Sequence, residues 1–181
     1  MGLNLWLSVV LAVCLFWCVG VYNRITRLRA RSLDSFAAVA ASLVLYRSLV
    51  SEYIHPNQAV NTPVTFQHFL VQLEHLDHCS KHTLSCPWDP VALMALSKAC
   101  GDVSATWGVL RTAPADLAGA ALPDNLIQDW DANTRAVQHA VMSFNQMLVS
   151  YNDAIGQFPA IAIASFLGFK PTGNIAIFYE K

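Results

Sequence analysis

Between Glu74 and Cys86 the chain reads EHLDHCSKHTLSC, which gathers three of its six histidines and two of its five cysteines into thirteen residues. Imidazole and thiolate are the groups that hold Zn²⁺ or a copper ion, so this stretch is the first candidate for chemistry. On a helix His75 with Cys79, and His78 with His82, form i,i+4 pairs able to grip one ion from a single face. Helical spacing predicts that His68, His75, Cys79, His82 and Cys86 lie opposite the apolar stripe of Phe66, Leu70 and Leu73. Against a complete site, ligands spread over more than two turns of one straight helix cannot converge on one metal. The spacing also fits no zinc finger or ribbon. A solvated polar face is the plainer reading, unless several chains bring such faces together.

Other reactive residues are sparse. Asp124, Asp129 and Asp131 resemble a carboxylate cluster, but acids in the first turns of a helix are what its dipole favours. Cys100 falls on a helical seam, as a packed core thiol does. His139 lies beside another seam with no partner. No glycine-rich phosphate loop, nucleophile elbow or HExxH motif is present. No catalytic residue is assigned, and the expectation is a protein that is not an enzyme.

The element that positions everything else is Leu3 to Val21, LNLWLSVVLAVCLFWCVGV, with no ionisable group except the thiols of Cys14 and Cys18. As a helix it reaches roughly 28 Å, the hydrocarbon thickness of a bilayer. A cleaved signal peptide wants a basic start, a shorter apolar core and small residues at the cut, all lacking here. Val13 and Trp17 before the cysteines argue against lipidation, and Trp6 argues against myristoylation. A collar of Arg24, Arg27, Arg29 and Arg31 follows directly, suited to anionic headgroups. All eleven Lys and Arg lie after the span, which predicts a short N-terminus outside and a cytoplasmic C-terminal body. A net charge of −1 excludes a general nucleic-acid surface. Three cysteines beyond the span, Cys79, Cys86 and Cys100, do not make a disulfide framework. Only a body outside the membrane would permit a bridge from Cys79 to Cys86.

Apolar residues at Phe36, Val39, Leu43, Tyr46, Val50 and Tyr53 continue the first helix to His55, where Pro56 stops it. Thr62-Pro63 opens a second helix faced by Phe66, Phe69, Leu70, Leu73 and Leu76, and Asp89-Pro90 opens a third faced by Leu93, Leu96, Cys100, Val103, Trp107 and Leu110. After a loop over residues 112–122, a long seam runs through Ile127, Trp130, Thr134, Val137, Val141, Phe144, Leu148, Tyr151, Ile155 and Phe158. The fold class is therefore all-α: a transmembrane helix continuing into an antiparallel up-and-down bundle of four helices, two long and two short. Residues 1–22 form the anchor, 23–158 the bundle, and 159–181 an apolar C-terminal segment with a short extended tail from Asn174. Phe158 to Phe169, FPAIAIASFLGF, carries no charge. It either closes the bundle end as a flap or, through Phe158, Ile161, Ile163, Phe166 and Phe169, docks on a neighbouring subunit or the membrane interface.

Two separated blocks support a family resemblance. Tyr22-Asn23-Arg24, Leu28, Arg29 and Asp34-Ser35-Phe36 form the first; Tyr151-Asn152, Ile155, Phe158-Pro159, Ile163, Ala164, Phe166 and Gly168-Phe169-Lys170-Pro171 form the second. Together after an N-terminal span they resemble the LemA family. The resemblance implies a bacterial inner-membrane protein with one N-terminal span and a helical cytoplasmic body, and it implies no enzymatic activity. The chain departs from the family where Ala37 to Leu45 replaces a polar, charge-rich segment. The expected function is a scaffold or interaction module whose partners are the bilayer, further copies of itself and other membrane proteins. The alternative is metal or thiol sensing through His75, His78, Cys79, His82 and Cys86.

Overall fold

The computed structural model describes residues 2–53, 64–113 and 122–176, with side chains from residue 6 onward. Its first element is a single helix, α1 (Gly2–Tyr53), of 52 residues and so about 78 Å. Nothing between Val21 and Tyr53 interrupts it, because the chain there contains neither glycine nor proline. The expected stop at His55-Pro56 and the Thr62-Pro63 cap fall outside the described residues.

Two further helices fold against α1, and a third packs on one of them. α2 (Val64–Ser85) ends in a tight turn, where the Cys86 N–H donates to Thr83 and the Asp89 N–H to Cys86. α3 (Pro90–Thr112) starts as its sequence predicts: Pro90 occupies the first turn and the Asp89 carboxylate accepts from the Val91 N–H at 3.1 Å. α4 (Asp124–Gly156) returns along α1, while α2 packs between α1 and α3. The result is an all-helical up-and-down bundle, with no strand among the described residues.

The core follows the predicted stripes closely. Phe36, Val39, Leu43, Tyr46 and Val50 of α1 meet Val137, Val141, Phe144 and Leu148 of α4, with Phe69, Leu73, Leu93, Leu96 and Val103 closing the other side. Four helices contribute one aromatic cluster. Trp107 stacks on Trp130 at 4.1 Å between centroids, Tyr46 lies 4.2 Å from Trp130, and Phe69 touches both tryptophans. Two polar links tie α1 to α4 inside this core: the Tyr46 and Thr134 hydroxyls at 2.9 Å, and the Asn133 amide donating to the Ser42 carbonyl at 3.1 Å.

Two expectations need correction. A fifth, short helix, α5 (Ala160–Phe166), occupies the apolar C-terminal segment, so the described residues hold one helix beyond the expected four of the bundle. Only seven residues long and apolar except for Ser165, it has no amphipathic stripe from which to be read. Phe158, expected on the α4 seam, is instead exposed, because α4 ends at Gly156 and carries it past the seam.

Candidate functional site at the foot of the apolar helix

α1 contains a window long and apolar enough to cross a membrane, and none of that window is buried within the protein. Immediately after it, the chain's C-terminal segment returns to α1. Val21, Ile25 and Leu28 of α1 pack with Tyr151 and Ile155 of α4, Ala164 of α5, and Phe169.

Local chemistry explains the return. α5 ends in a Schellman arrangement, in which the Phe169 N–H donates to Ala164 at 2.9 Å and the Gly168 N–H to Ser165 at 3.2 Å. Gly168 adopts φ 73°, the left-handed region that this cap requires. The reversal carries Phe169 onto α1, with its ring 6.4 Å from Tyr22.

Beyond it the tail is strapped along α4 by side chains rather than by a sheet. Tyr151 donates its hydroxyl to the Lys170 carbonyl at 3.1 Å. The Asn152 amide accepts from the Thr172 N–H at 3.0 Å and donates to the Thr172 carbonyl at 2.9 Å. Asn145, two turns earlier, makes the same paired contact with both backbone groups of Ile175, each bond 2.9 Å long. Ser97 of α3 accepts from the Ala176 N–H at 3.2 Å. The part of the expected tail beyond residue 176 lies outside the described residues.

The arginine collar divides. Arg24, Arg27 and Arg31 are exposed, as a contact with headgroups requires. Arg29 is not free: its guanidinium lies 4.5 Å above the Trp88 ring and 5.0 Å above Phe169, so it joins α1 to the α2–α3 turn and the C-terminal segment. Arg29 also offsets part of the rise that burial imposes on the Tyr151 hydroxyl pKa.

The apolar segment divides too, with one side buried and the other exposed. Ile163 and Phe169 are half-buried and Ala164 fully so, which closes the bundle end. Phe158 and Phe166 stand out at 88% and 90% exposure, with Ile161 at 48%. Leu167, at 43% exposure, belongs with them although its position on the sequence did not single it out.

The histidine and cysteine stretch is arranged differently from its expectation. Cys79 faces the core rather than the polar side, because position 79 follows Leu76 by three residues and so continues the buried stripe. Its sulfur lies 3.6 Å from Nε2 of His75. His75, His78 and His82 are exposed, while the half-buried Cys86 thiol donates to the His82 carbonyl at 3.5 Å. Among the described residues no three His, Cys, Asp or Glu side chains come together as a metal group. Burial raises the Cys79 thiol pKa; Cys100 is pushed up to about 12 by burial, with Cys79 adding to the effect.

Ion pairs fix helix positions. Asp77 receives Lys81 at 2.7 Å and Arg47 of α1 at 3.7 Å, and Asp131 pairs with Arg111 at 3.3 Å. Beside that second pair a cavity of about 290 Å³ opens between the helices, lined by Tyr46, Cys100, Trp107 and Trp130. The Trp107 indole N–H is buried there without a hydrogen-bond partner.

Set against known proteins, the chain matches no family model, no curated protein and no solved structure.

Proposed function

We propose that this chain is a single-pass inner-membrane protein of LemA type whose helical bundle serves as a non-enzymatic scaffold, assembling side by side with copies of itself. The observation that carries this reading is the outward face of α1. Ala30, Leu33, Ala37, Ala41, Val44 and Leu45 are all exposed along one stripe opposite the Phe36 seam. No charged residue occurs between Asp34 and Arg47. Small side chains allow close helix approach, and the larger ones supply apolar area. The stripe follows the apolar span along one unbroken helix, with the arginine collar and Asp34 between its uncharged part and the span, and a shared bilayer would hold neighbouring copies parallel and at raised local concentration. Arg24, Arg27 and Arg31 at the end of the span support the cytoplasmic placement of the body, and the LemA resemblance supports a bacterial inner membrane.

The test is the oligomeric state of the full chain, by mass photometry in mild detergent and by crosslinking in membranes. Wild type is expected as a defined assembly, and Ala41→Arg, an exposed position that leaves the core intact, is expected to shift it to monomer. Monomeric wild type in both settings would overturn the reading. The alternative, metal or thiol sensing, draws support from the His75–Cys79 pair at 3.6 Å. Stoichiometric zinc or copper by elemental analysis of the purified chain, lost in His75→Ala, would move the assignment there.

A further inference from the structure

We infer that the exposed side of the C-terminal segment is a second membrane contact, a shelf formed by Phe158, Ile161, Phe166 and Leu167 that rests in the interface of an anionic phospholipid bilayer. The inference rests on reading the apolar part of α1 as a span, and it adds a site that an anchor alone does not need.

Position is the first argument. α5, through Ala164, joins the cluster that holds Val21, Ile25 and Leu28 of α1, residues at and just after the end of the apolar stretch. Val21 to Ile25 is four residues, about 6 Å of rise, which is the depth of the headgroup layer beyond the hydrocarbon. The shelf therefore lies at interface height whenever the span occupies the bilayer. Four large apolar side chains within ten residues, two of them nearly fully exposed, are costly to hold in water. Aromatic rings among them suit an interface, where one side is apolar and the other wet.

Charge is the second argument. The chain holds twelve acidic residues, yet none lies in residues 1–33 and none in 154–179. The described parts of these segments include the shelf and its root, and the segments carry Arg24, Arg27, Arg29, Arg31 and Lys170. With Arg29 engaged by Trp88 and Phe169, the exposed cations are Arg24, Arg27, Arg31 and Lys170. Apolar side chains in segments that carry Arg24, Arg27, Arg31 and Lys170, with Asp34 and Asp153 only at the segment margins, match anionic lipid. Held at two points, the span and the shelf, the bundle loses freedom to tilt and presents the α1 stripe at a fixed angle.

Photocrosslinking in vesicles of phosphatidylcholine with 30 mol% phosphatidylglycerol tests this with the full chain. Phe158→p-benzoylphenylalanine and Phe166→p-benzoylphenylalanine are expected to give lipid adducts by mass spectrometry. The same residue placed at Phe16 marks the span, and at Met142, exposed partway along α4, marks solvent. Lys170→Gln is expected to lower the adduct at position 166 about fivefold, and pure phosphatidylcholine to lower it further. Adducts at Phe16 with none at 158 or 166 would overturn the shelf and leave the span standing. Protein–protein adducts at 166 would overturn it in favour of a docking face, and absence of adducts even at Phe16 would overturn the span reading itself.

Discussion

Asn152 and Asn145 hold the tail as one strap, and removing either should release both ends of it. Asn152→Ala deletes two hydrogen bonds to Thr172, of 2.9 and 3.0 Å, and leaves that backbone, which is buried, without its partners. At about 1 kcal/mol net for each bond the loss is about 2 kcal/mol. That corresponds to roughly a 30-fold rise in the population of the opened strap. The informative probe is the Ile175 amide, since its own acceptor, Asn145, is untouched by the substitution. Hydrogen exchange of the full-length protein in mild detergent, followed at Ile175, should accelerate about 30-fold, while amides at the centre of α4 keep their protection. Asn145→Ala should give the reciprocal result at Thr172. An Ile175 amide unchanged within threefold in Asn152→Ala would refute the idea of a single cooperative strap and leave two independent clamps.

Further expectations follow from the same geometry. Arg29→Gln removes the cation above two rings and should cost about 1–2 kcal/mol, read as a lower Tm; Arg29→Lys should restore little, because an ammonium lacks the planar face that stacks. Gly168→Ala should cost about 1–2 kcal/mol through its positive φ alone, since a Cβ there would meet nothing within 4 Å; full stability by urea titration would contradict this. Cys100 and Tyr46 each reach about 12 when folded, from ordinary values of 9.0 and 10.0, so the native state keeps protons that the unfolded chain releases. Stability should therefore be intact below about pH 9 and fall as pH rises toward 12, first through Cys100 and from about pH 10 through Tyr46 as well, with a shallower fall in Cys100→Ala. Toward a water-soluble disulfide reagent, Cys86 should react first and Cys79 and Cys100 slowly, because both are held protonated in the core. Fast modification of Cys79 in the native protein would favour the thiol-sensing alternative.

The helices were readable because each buries one stripe. Phe69, Val103 and Phe144 each belong to a stripe that recurs at three and four residues among more polar neighbours, and that contrast is a property of the chain before it folds. The Asp89-Pro90 start of α3 was readable for a similar reason, since a cap acts on its own first turn. Cys79 was misplaced although the information was local: the stripe through Phe66, Leu70 and Leu73 drifts around the helix, and by Leu76 the buried arc includes position 79.

By itself, then, the amino-acid order determined the all-helical class, the stripes that form the core and the long apolar run that leads into an arginine collar. These are periodicities and compositions of neighbouring residues, and they hold wherever the helices later sit. Only the tertiary structure decided that Arg29 turns inward to Trp88 and Phe169, that Asn145 and Asn152 strap the tail, and that Phe158 and Phe166 stand exposed on the C-terminal segment that packs at the end of the apolar run. Each of those depends on which faces meet across as many as 140 residues of chain, from Arg29 to Phe169, and no local pattern encodes a meeting at that distance.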